Sequence, residues 1–332
     1  MAFEHIVGQE RLIGNLKKVL LENRVSHAYL VEGLKGVGKK QFAKALSKAI
    51  LCHNLQTEEL GSEECSSCKK IKENNHTELH LLDIEGSIKI EEIREIQKSI
   101  HIKPYEGSKK VYVILNGEKM TQQAQNALLK TLEEPPGHSV IIITTNNIKS
   151  LLPTIISRCQ LLKLKPQGVE KVREYLVGEF GIDENEARVT ATFSNGLVET
   201  AIRLYNNEEF KIRRLKAIEI TGKLLSSRTM DILNEIEFFN NEKSYIEEII
   251  DILIYWYRDI LVYKETSNEQ LIINSDQLSN IYFQVRKIEN TSIIKEAILM
   301  LEEKKQQIKG NVNYSLAMET MLLNLQDLFC NN

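Results

Sequence analysis

The sequence has 332 residues, with 43 Lys and Arg against 46 Asp and Glu, which gives a net charge of −3. That balance provides no overall positive field for nucleic acid, so any contact with DNA must be local or come through a partner. Hydrophobic residues make up 42% and charged residues 27%, as in globular proteins, and the length allows two or three domains. No apolar run is long enough to cross a membrane and Met1–His5 carries no signal-peptide pattern, so we expect a cytoplasmic protein without membrane contact.

A buried strand, a glycine-rich turn and a helix are predicted one after another near the start of the chain, the strand over 27–32 and the helix over 41–50. Between them, Gly33-Leu34-Lys35-Gly36-Val37-Gly38-Lys39-Lys40 matches the Walker A pattern at every position but the last. In this geometry backbone N–H groups and a helix N-terminus hold phosphate, so the sequence predicts a phosphate loop. The residues assigned to it are Gly33, Gly36, Gly38, Lys39 and Lys40.

The last position of this loop departs from the pattern. It normally holds Ser or Thr, whose hydroxyl ligates Mg²⁺, and here it is Lys40. A lysine ammonium has donors but no acceptor, so it cannot ligate a cation. We therefore expect ATP binding to be weak or absent and hydrolysis to be lost. Lys39 is either a surviving phosphate-binding side chain or a solvated residue of a vestigial loop.

Residues 1–165 alternate apolar strands with helices, which predicts a parallel sheet covered on both faces. After the first strand, the predicted strands are Leu79–Ile84, Val111–Leu115, Ser139–Thr145 and Cys159–Leu164, and the helices lie near 90–101, 121–133 and 148–157. Composition changes at 165–168, which is typical of a linker. We predict a small helical lid domain over 166–207 and an all-helical domain of five or six helices over 208–332.

Three of the five cysteines lie in an insertion near 52–76 of the first domain, and they are Cys52, Cys65 and Cys68. An odd total with three members clustered indicates reduced thiols and a metal site rather than a disulfide framework. Structural zinc takes four ligands, mostly thiolate or imidazole. Candidates for the fourth position are His53, Glu64 and His76. The alternative is three free thiols.

Four further segments, taken together, resemble the clamp-loader branch of the AAA+ ATPases, as found in the bacterial replicative clamp loader. They are Phe3–Gln9, Ser26–Leu30, the leucine-rich Ala124–Pro136 and Ser157-Arg158-Cys159. The resemblance covers residues 1–205 motif by motif and extends weakly to Asn311–Asn313. It implies a P-loop AAA+ domain, a helical lid and an all-helical collar domain that assembles subunits.

The sequence departs from that family at the positions that hydrolyse ATP. Active members carry an Asp-Glu pair after the third strand, and here Leu115 and Asn116 stand at those positions, so the cation ligand and the catalytic acid are missing. Active members also place an arginine in the lid near the γ-phosphate. Glu199 stands at that position, and a carboxylate there repels phosphate. Glu118, close to the missing pair, is expected to be a solvated side chain.

Arg158 belongs to the Ser-Arg-Cys segment, which is complete. In the family this arginine projects into the ATP site of a neighbouring subunit, where its positive charge stabilises phosphoryl transfer. The resemblance therefore implies that Arg158 is an arginine finger that acts in trans. The alternative is a surface arginine in an ordinary ion pair.

The cysteine insertion also departs from the family. Its members carry four cysteines there, one alone and then three at two-residue intervals. Ser62 stands at the second position in this sequence, and a serine hydroxyl is a poor zinc ligand. The resemblance thus implies a zinc module that has lost one thiolate.

Taken as a whole, the resemblance implies a non-hydrolysing stator subunit of the clamp loader within the DNA polymerase III holoenzyme. Its implied partners are the gamma/tau ATPase subunits and the delta subunit, with the sliding clamp and primed DNA reached through the complex. The alternative function is an active ATPase like gamma/tau, which needs the missing Mg²⁺ ligand and acidic pair. An unrelated P-loop kinase is disfavoured by Ser157–Cys159 and by the leucine-rich segment.

Overall fold

A computed structural model describes residues 2–53, 65–225, 229–310 and 313–330. Its strands are β1 (Ala28–Glu32), β2 (Leu79–Leu82), β3 (Lys110–Ile114), β4 (Ser139–Thr145) and β5 (Gln160–Lys163). Its helices are α1 (Glu10–Leu21), α2 (Lys39–Ile50), α3 (Ser66–Lys72), α4 (Ile90–Ile100), α5 (Gln122–Glu133), α6 (Pro153–Ile156), α7 (Val169–Phe180), α8 (Glu184–Phe193), α9 (Val198–Tyr205), α10 (Glu208–Leu224), α11 (Thr229–Asn234), α12 (Ile236–Asn241), α13 (Ile246–Thr266), α14 (Leu278–Lys287), α15 (Thr291–Ile308) and α16 (Tyr314–Cys330). Short 3₁₀ turns span Gly117–Lys119, Ile148–Ser150, Lys243–Tyr245, Glu269–Leu271 and Ser275–Gln277.

The five strands form one parallel sheet in the order β2-β3-β4-β1-β5. Every residue of β3 and β4 is buried, because helices pack on both faces of the sheet. One layer of apolar side chains includes Phe42 of α2, and the opposite layer includes Leu128 of α5. The α/β class predicted from the alternating pattern is confirmed. Since the strands are parallel, the segments that follow β1, β2 and β3 meet at one edge of the sheet, where ligand sites usually lie.

The main differences from the predicted elements are a broken helix and a shortened strand, whereas other bounds shift by one or two residues. The helix expected near 148–157 forms as a 3₁₀ turn followed by the short α6. Pro153 has no N–H to donate and keeps the preceding Leu152 extended, at φ −61° and ψ 136°, so a continuous helix cannot pass through this point. Strand β2 also ends at Leu82, two residues before the predicted end.

The chain divides into two compact units. The first comprises residues 1–175 and 195–200, and the second comprises residues 176–194 and 201–332. The boundaries at 165 and 207 that separate a lid from its neighbours in the sequence stay a prediction.

Among the described residues of the second unit, the regular elements are helices and short 3₁₀ turns. Its core includes Trp256 and Tyr257 of α13, both fully buried, and Trp256 Nε1 donates to Gln284 Oε1 at 3.0 Å. From residue 208 onward the described ranges form five helices of ten residues or more and two of six, where the pattern predicts five or six. Nowhere in the part of the chain that the structure describes is a helix long and apolar enough to cross a membrane.

A buried polar network ties α13 to the segment that follows it. Asp259 is 0% exposed, and its carboxylate accepts hydrogen bonds from the backbone N–H of Ile273 at 3.0 Å and of Asn274 at 2.8 Å. The Asn274 side-chain oxygen accepts in turn from Arg214 at 2.7 Å, and Arg214 pairs with Asp276 at 2.6 Å. Because a buried carboxylate is costly without partners, these bonds stabilise the fold of this unit.

Candidate functional site

The phosphate-loop residues lie between the end of β1 and the start of α2, at the carboxyl edge of the sheet. Gly36 has φ +85° and Gly38 has φ +101°, a conformation that side chains with a Cβ rarely adopt. Gly33 N–H donates to Thr145 O at 3.1 Å, which fixes the start of the loop to the end of β4. The sequence therefore folds here into a compact turn that leads directly into the N-terminus of α2.

Lys39, the first residue of α2, is turned back onto the loop. Its Nζ donates to Gly33 O and to Leu34 O, both at 2.9 Å, and the residue is 8% exposed. Burial lowers the pKa of Lys39, and the nearby carboxylates of Glu118 and Glu199 oppose that shift. The alternative of a solvated surface lysine is therefore wrong, because the folded loop encloses the side chain.

Lys40 points away from Lys39 and is exposed. Its Nζ lies 2.7 Å from Asp83 Oδ2, just beyond the end of β2. Both side chains remain substantially solvated, so the pair contributes little to stability. The position that carries a Mg²⁺-binding hydroxyl in the Walker A pattern thus carries a positive charge, and that charge is engaged by a carboxylate.

The end of β3 lacks an acidic pair. Leu115 is 3% exposed and lies in the apolar layer on the α2 side of the sheet. Asn116 adopts a left-handed conformation at φ 55°, and its backbone N–H donates to Thr144 Oγ1 at 3.0 Å. Neither residue offers a carboxylate for a cation or for an attacking water.

Glu118 is not the solvated side chain that the sequence predicts. It is half-buried and accepts a hydrogen bond from the backbone N–H of Asn146 at 3.3 Å. Its charge partly opposes the lowering of the Lys39 pKa by burial. The reason is the 3₁₀ turn that begins at Gly117, where a Cβ would approach Ile143 Cγ2 to 2.7 Å. That close packing holds the turn against β4 and brings Glu118 over the edge of the sheet.

Glu199, at the position of the family's lid arginine, lies directly against the phosphate loop. Its backbone N–H donates to Gly36 O at 3.0 Å. Its side chain is half-buried, and burial raises the pKa of Glu199, while Lys39 and Lys40 act to lower it. The backbone of Gly38 and the side chain of Gln41 also act to lower the pKa of its carboxylate.

Arg158 lies in the bend between α6 and β5. Its Nη2 is 2.8 Å from Glu133 Oε1, at the end of α5, and its Nη1 donates to Thr154 O at 3.1 Å. The side chain is 35% exposed, so its guanidinium is held on the surface of the first unit. The neighbouring Cys159 is half-buried, and burial raises the pKa of its thiol to about 12, which keeps it neutral.

The strand register places Arg158 and the phosphate loop at opposite ends of the strands, Arg158 at the amino ends and the loop at the carboxyl ends. In the parallel pairing of β5 with β1, Gln160 aligns with Tyr29 and Lys163 aligns with Glu32. Arg158 precedes Gln160 by two residues, whereas the loop begins directly after Glu32. At about 3.3 Å per strand residue, the two lie about 20 Å apart along the strands. Arg158 is thus too far away to reach the loop of its own chain.

The structure brings Cys52, Cys65 and Cys68 together in one buried cluster, with the three Sγ atoms within 4.8 Å of one another. Cys52 follows α2, Cys65 precedes α3 and Cys68 belongs to α3. Burial opposes ionisation of Cys65, but hydrogen bonds from Cys68, His53 and Ser67 outweigh it and lower its pKa to about 7. Burial raises the pKa of Cys68. Three thiols in this arrangement fit three of the four corners of a thiolate metal site.

The fourth ligand is not His76. Its Nε2 shares a 2.7 Å hydrogen bond with Ser67 Oγ, and its Nδ1 accepts from the backbone N–H of Glu78 at 3.1 Å, so both ring nitrogens are engaged. Within the described residues, the metal-binding group contains only the three cysteines. Glu64, another candidate, and Ser62 lie outside the described residues.

Three residues outside the predicted set support these sites. Gln41 and Asp83 contact the loop region, and Glu133 holds Arg158. Gln41 has a sequence signal, because it lies in the first turn of the helix that leaves the loop, where side chains are close to the bound group. Asp83 has a weaker sequence signal, because its contact with Lys40 depends on how the chain between these two residues folds.

Comparison with known proteins places these features in a family context. A family model described as DNA polymerase III, delta subunit, matches residues 8–168, and one described as DNA polymerase III, delta subunit, C terminal, matches residues 208–327. DNA polymerase III subunit delta' of Bacillus subtilis (strain 168) is 34% identical over 323 residues, which is 96% of either chain. Subunit tau of the same organism is 28% identical over 330 residues, and the match covers 92% of this chain and 58% of tau.

A solved structure gives a more distant match. The DNA polymerase III gamma subunit-related protein of Thermotoga maritima aligns over 96% of this chain and 99% of that one, with 18% identity and a TM-score of 0.42.

Proposed function

The chain belongs to the family of DNA polymerase III delta-prime subunits, and on that premise we propose that it is a non-hydrolysing stator subunit of the replicative clamp loader that supplies Arg158 to the ATP site of a neighbouring subunit. The observation that carries this proposal is the position of Arg158, partly exposed and about 20 Å along the strands from the loop of its own chain. A guanidinium at that position cannot reach the loop of its own chain, and its partial exposure leaves it accessible to a neighbouring subunit.

The state of the chain's own loop supports the non-hydrolysing part of the proposal. Lys40 replaces the hydroxyl that would ligate Mg²⁺, Leu115 replaces the metal-binding acid, and Glu199 puts a negative charge beside the loop. Phosphoryl transfer depends on a bound cation and on positive charge around the γ-phosphate, and each of these substitutions removes one of them.

The relatives point to the partners. Similar chains include subunits named tau and gamma of DNA polymerase III, so we propose gamma/tau and delta as neighbours in a cytoplasmic complex. The sliding clamp and primed DNA would be reached through that complex, in keeping with a net charge of −3 that offers no general attraction for DNA. The residues from 208 onward would form the collar. Exposed apolar side chains on its helices, such as Ile212 and Phe283, suit contacts with other subunits.

Zinc is the metal that the cysteine cluster fits best. Thiolates select zinc among the common structural cations, and Cys52, Cys65 and Cys68 supply three of them. The bound ion would tie the end of α2 to the start of α3. It would have a structural role, because the cluster is buried and its three thiols are the ligands that closed sites use.

The second candidate function is an active ATPase like gamma/tau, and Glu118 is the observation in its favour. It is half-buried and its charge acts on Lys39, so among the described residues it is the carboxylate near the end of β3 that can approach the loop lysine. It lies three residues beyond Leu115, in a turn that follows the strand, which is a different place from that of the missing pair.

The test of the proposed function is clamp loading by the reconstituted complex. Arg158→Ala should leave assembly intact and lower ATP-dependent loading by at least about tenfold, because a finger is worth ~10³–10⁵ in rate in GTPases and one of several sites loses it. Arg158→Lys should rescue poorly, since an ammonium lacks the planar two-pronged contact. Arg173→Ala is the matched control: Arg173 is also an arginine of the first unit, paired with Glu170 at 2.8 Å. Unchanged loading with Arg158→Ala would make Arg158 a structural residue.

A further inference from the structure

We propose that a cavity beside α2 binds the phosphate group of a nucleotide, at a site separate from the phosphate loop. The cavity has a volume of about 280 Å³ and lies between residues 2–6, α2 and the end of α3, all in the first unit. That volume is close to the lower end of the roughly 300–1,000 Å³ typical of small-molecule sites. The inference goes beyond the proposed function, which assigns no ligand to this part of the chain, and does not depend on it.

Positive charge is concentrated on the two helices that form this cavity. Helix α2 contains four lysines and no acidic residue, and α3 contains three lysines and no acidic residue. Lys44 and Lys48 of α2 and Lys72 of α3 line the cavity, as does His5. Glu4 is the one carboxylate among the described residues that line it. Three ammonium groups against one carboxylate make the cavity positive, in a chain whose net charge is −3.

The two α2 lysines that line the cavity have no ion-pair partner among the described residues. Lys44 is half-buried, and its Nζ donates to the neutral Asn74 Oδ1 at 3.1 Å. Lys48 is also half-buried, and its charge acts on Glu4 without an ion pair between them. Like charges four residues apart on a helix repel each other, so this spacing does not stabilise α2.

A simpler interpretation of these lysines is a solvated helix face, and α10 shows how such a face is built in this protein. Lys216 and Lys223 each pair with Glu219 of the same helix, at 3.2 Å and 2.6 Å. Pairs three and four residues apart neutralise the exposed face of a helix. Helix α2 has no acidic residue for such pairs. The charges of Lys44 and Lys48 are therefore left for a ligand.

The spacing of Lys44 and Lys48 suits a phosphate group. Residues four apart on a helix have Cβ atoms about 5–6 Å apart, so both ammonium groups can reach oxygens of one phosphate. Charge-assisted hydrogen bonds of this kind are among the strong ones. The phosphate loop is a different place, because these lysines lie about 8 Å and 14 Å beyond Lys39 along the axis of α2.

The cavity also has an apolar floor. Ala45 is 8% exposed and Ile71 is 7% exposed, and the half-buried Ile6 lies beside them in the cavity lining. An inorganic anion would use only the ammonium groups, whereas a nucleotide would also cover apolar surface with its sugar and base. The combination of cationic and apolar groups therefore favours a nucleotide. Its source is either a free nucleotide or one unit of single-stranded DNA.

The experiment is a titration of the full chain with thymidine monophosphate, with inorganic phosphate and with a single-stranded oligothymidylate of about ten nucleotides. The monophosphate should bind more tightly than inorganic phosphate, because it also covers the apolar floor. Lys44→Ala/Lys48→Ala should weaken its binding at least about tenfold, since two charge-assisted contacts are lost. An oligonucleotide that binds at least about tenfold more tightly than the monophosphate, with the difference lost in this variant, would identify DNA as the source. Similar affinities for the two would identify a free nucleotide.

Lys17→Ala/Lys18→Ala is the matched control, because it removes the same charge from α1. An equal loss in the two double variants would overturn the proposal, since it would show a general charge effect. Lys39→Ala should bind the monophosphate like the wild type, and a loss equal to that of Lys44→Ala/Lys48→Ala would place the ligand in the phosphate loop instead. No binding of either nucleotide probe by the wild type, or equal affinity for the monophosphate and inorganic phosphate, would also overturn the proposal.

Methyl NMR of isoleucine-labelled protein gives an independent readout of the position of the ligand. The δ1-methyl resonances of Ile6 and Ile71 should shift when the monophosphate is added to the wild type, because both residues line the cavity. The same resonances should stay in place in Lys44→Ala/Lys48→Ala, whose spectrum without ligand also checks that the variant is folded. Unshifted Ile6 and Ile71 resonances in the wild type would contradict the proposal.

Discussion

Arg158 and Glu133 form an ion pair, with Arg158 Nη2 2.8 Å from Glu133 Oε1, which joins the bend before β5 to the end of α5. Both side chains are partly exposed, so the pair contributes about 1 kcal/mol or less to stability. Its effect is mainly geometric. A long, flexible arginine that is held at one end by Thr154 O and Glu133 has fewer orientations to lose when it enters a neighbouring site.

Glu133→Gln should therefore weaken clamp loading without affecting the fold. We expect a decrease of about two- to fivefold in the reconstituted complex, the range that loss of an exposed ion pair allows. The thermal midpoint of the isolated chain should stay within the error of the measurement. Clamp loading at the wild-type rate in Glu133→Gln would show that Arg158 needs no such support. Glu134→Gln is the control, because it makes the same substitution at a neighbouring exposed residue.

The isolated chain should show no ATPase activity above background at any Mg²⁺ concentration. Lys40 and Leu115 remove the two protein contacts to the cation, and Glu118 lies in the turn after β3, three residues beyond Leu115, rather than at the missing position. The measurement is phosphate release, with Lys39→Ala purified in parallel. Turnover that depends on Mg²⁺ and disappears in both Lys39→Ala and Glu118→Gln would establish the gamma/tau-like alternative.

The metal content of the purified protein should be about one zinc per chain, as for a single closed site. Cys65→Ala should release it, and the thermal midpoint should fall, because binding energy at such a site is folding energy. Cys330→Ala is the control, since that cysteine is exposed and outside the cluster. Zinc retained in Cys65→Ala would mean that another residue completes the site, and no zinc in protein prepared without chelators would indicate free thiols.

Much of the sheet can be predicted because its strands β3 and β4 are buried at every residue. The sequence pattern delimits Ser139–Thr145 to the residue, since a run of apolar and β-branched side chains between turn residues is typical of a buried strand. The same kind of reasoning predicts too long a helix around Pro153. The periodicity of the apolar residues continues through the proline, whereas the backbone hydrogen bonds of a helix do not. Helix α1 is not among the predicted elements.

The surroundings of the loop are harder to predict than the loop itself. Its glycines and lysines are consecutive, so their grouping follows from chain order. The backbone hydrogen bond from Glu199 to Gly36 joins residues far apart in the chain, and the sequence predicts only that a carboxylate at this position would repel phosphate. The bond depends on how residues 195–200 pack within the first unit, which no local pattern encodes. The wrong expectation of a solvated Glu118 has the same origin.

Asp259→Ala should destabilise the second unit strongly. The substitution leaves the buried N–H groups of Ile273 and Asn274 without their acceptor and removes a partner of Arg258, so we expect a loss of about 3–5 kcal/mol in the free energy of unfolding. Urea denaturation followed by the fluorescence of Trp256, which lies on the same helix, reports on this unit. Asp251→Ala on α13 removes a more exposed carboxylate that pairs with Lys305 and should cost about 1 kcal/mol or less. Similar losses in the two variants would contradict the importance of the network.

The strand register that separates the loop from Arg158 also makes the two ends of the sheet independently variable. Substitutions around Lys40 leave the bend at Arg158 with its own contacts to Glu133 and Thr154. For protein engineering, this means that Lys40→Thr, Leu115→Asp and Asn116→Glu can be introduced at one end of the strands while the contacts of Arg158 at the other end are kept. In evolution, the same separation allows substitutions to accumulate at the loop while the contacts of Arg158 are retained.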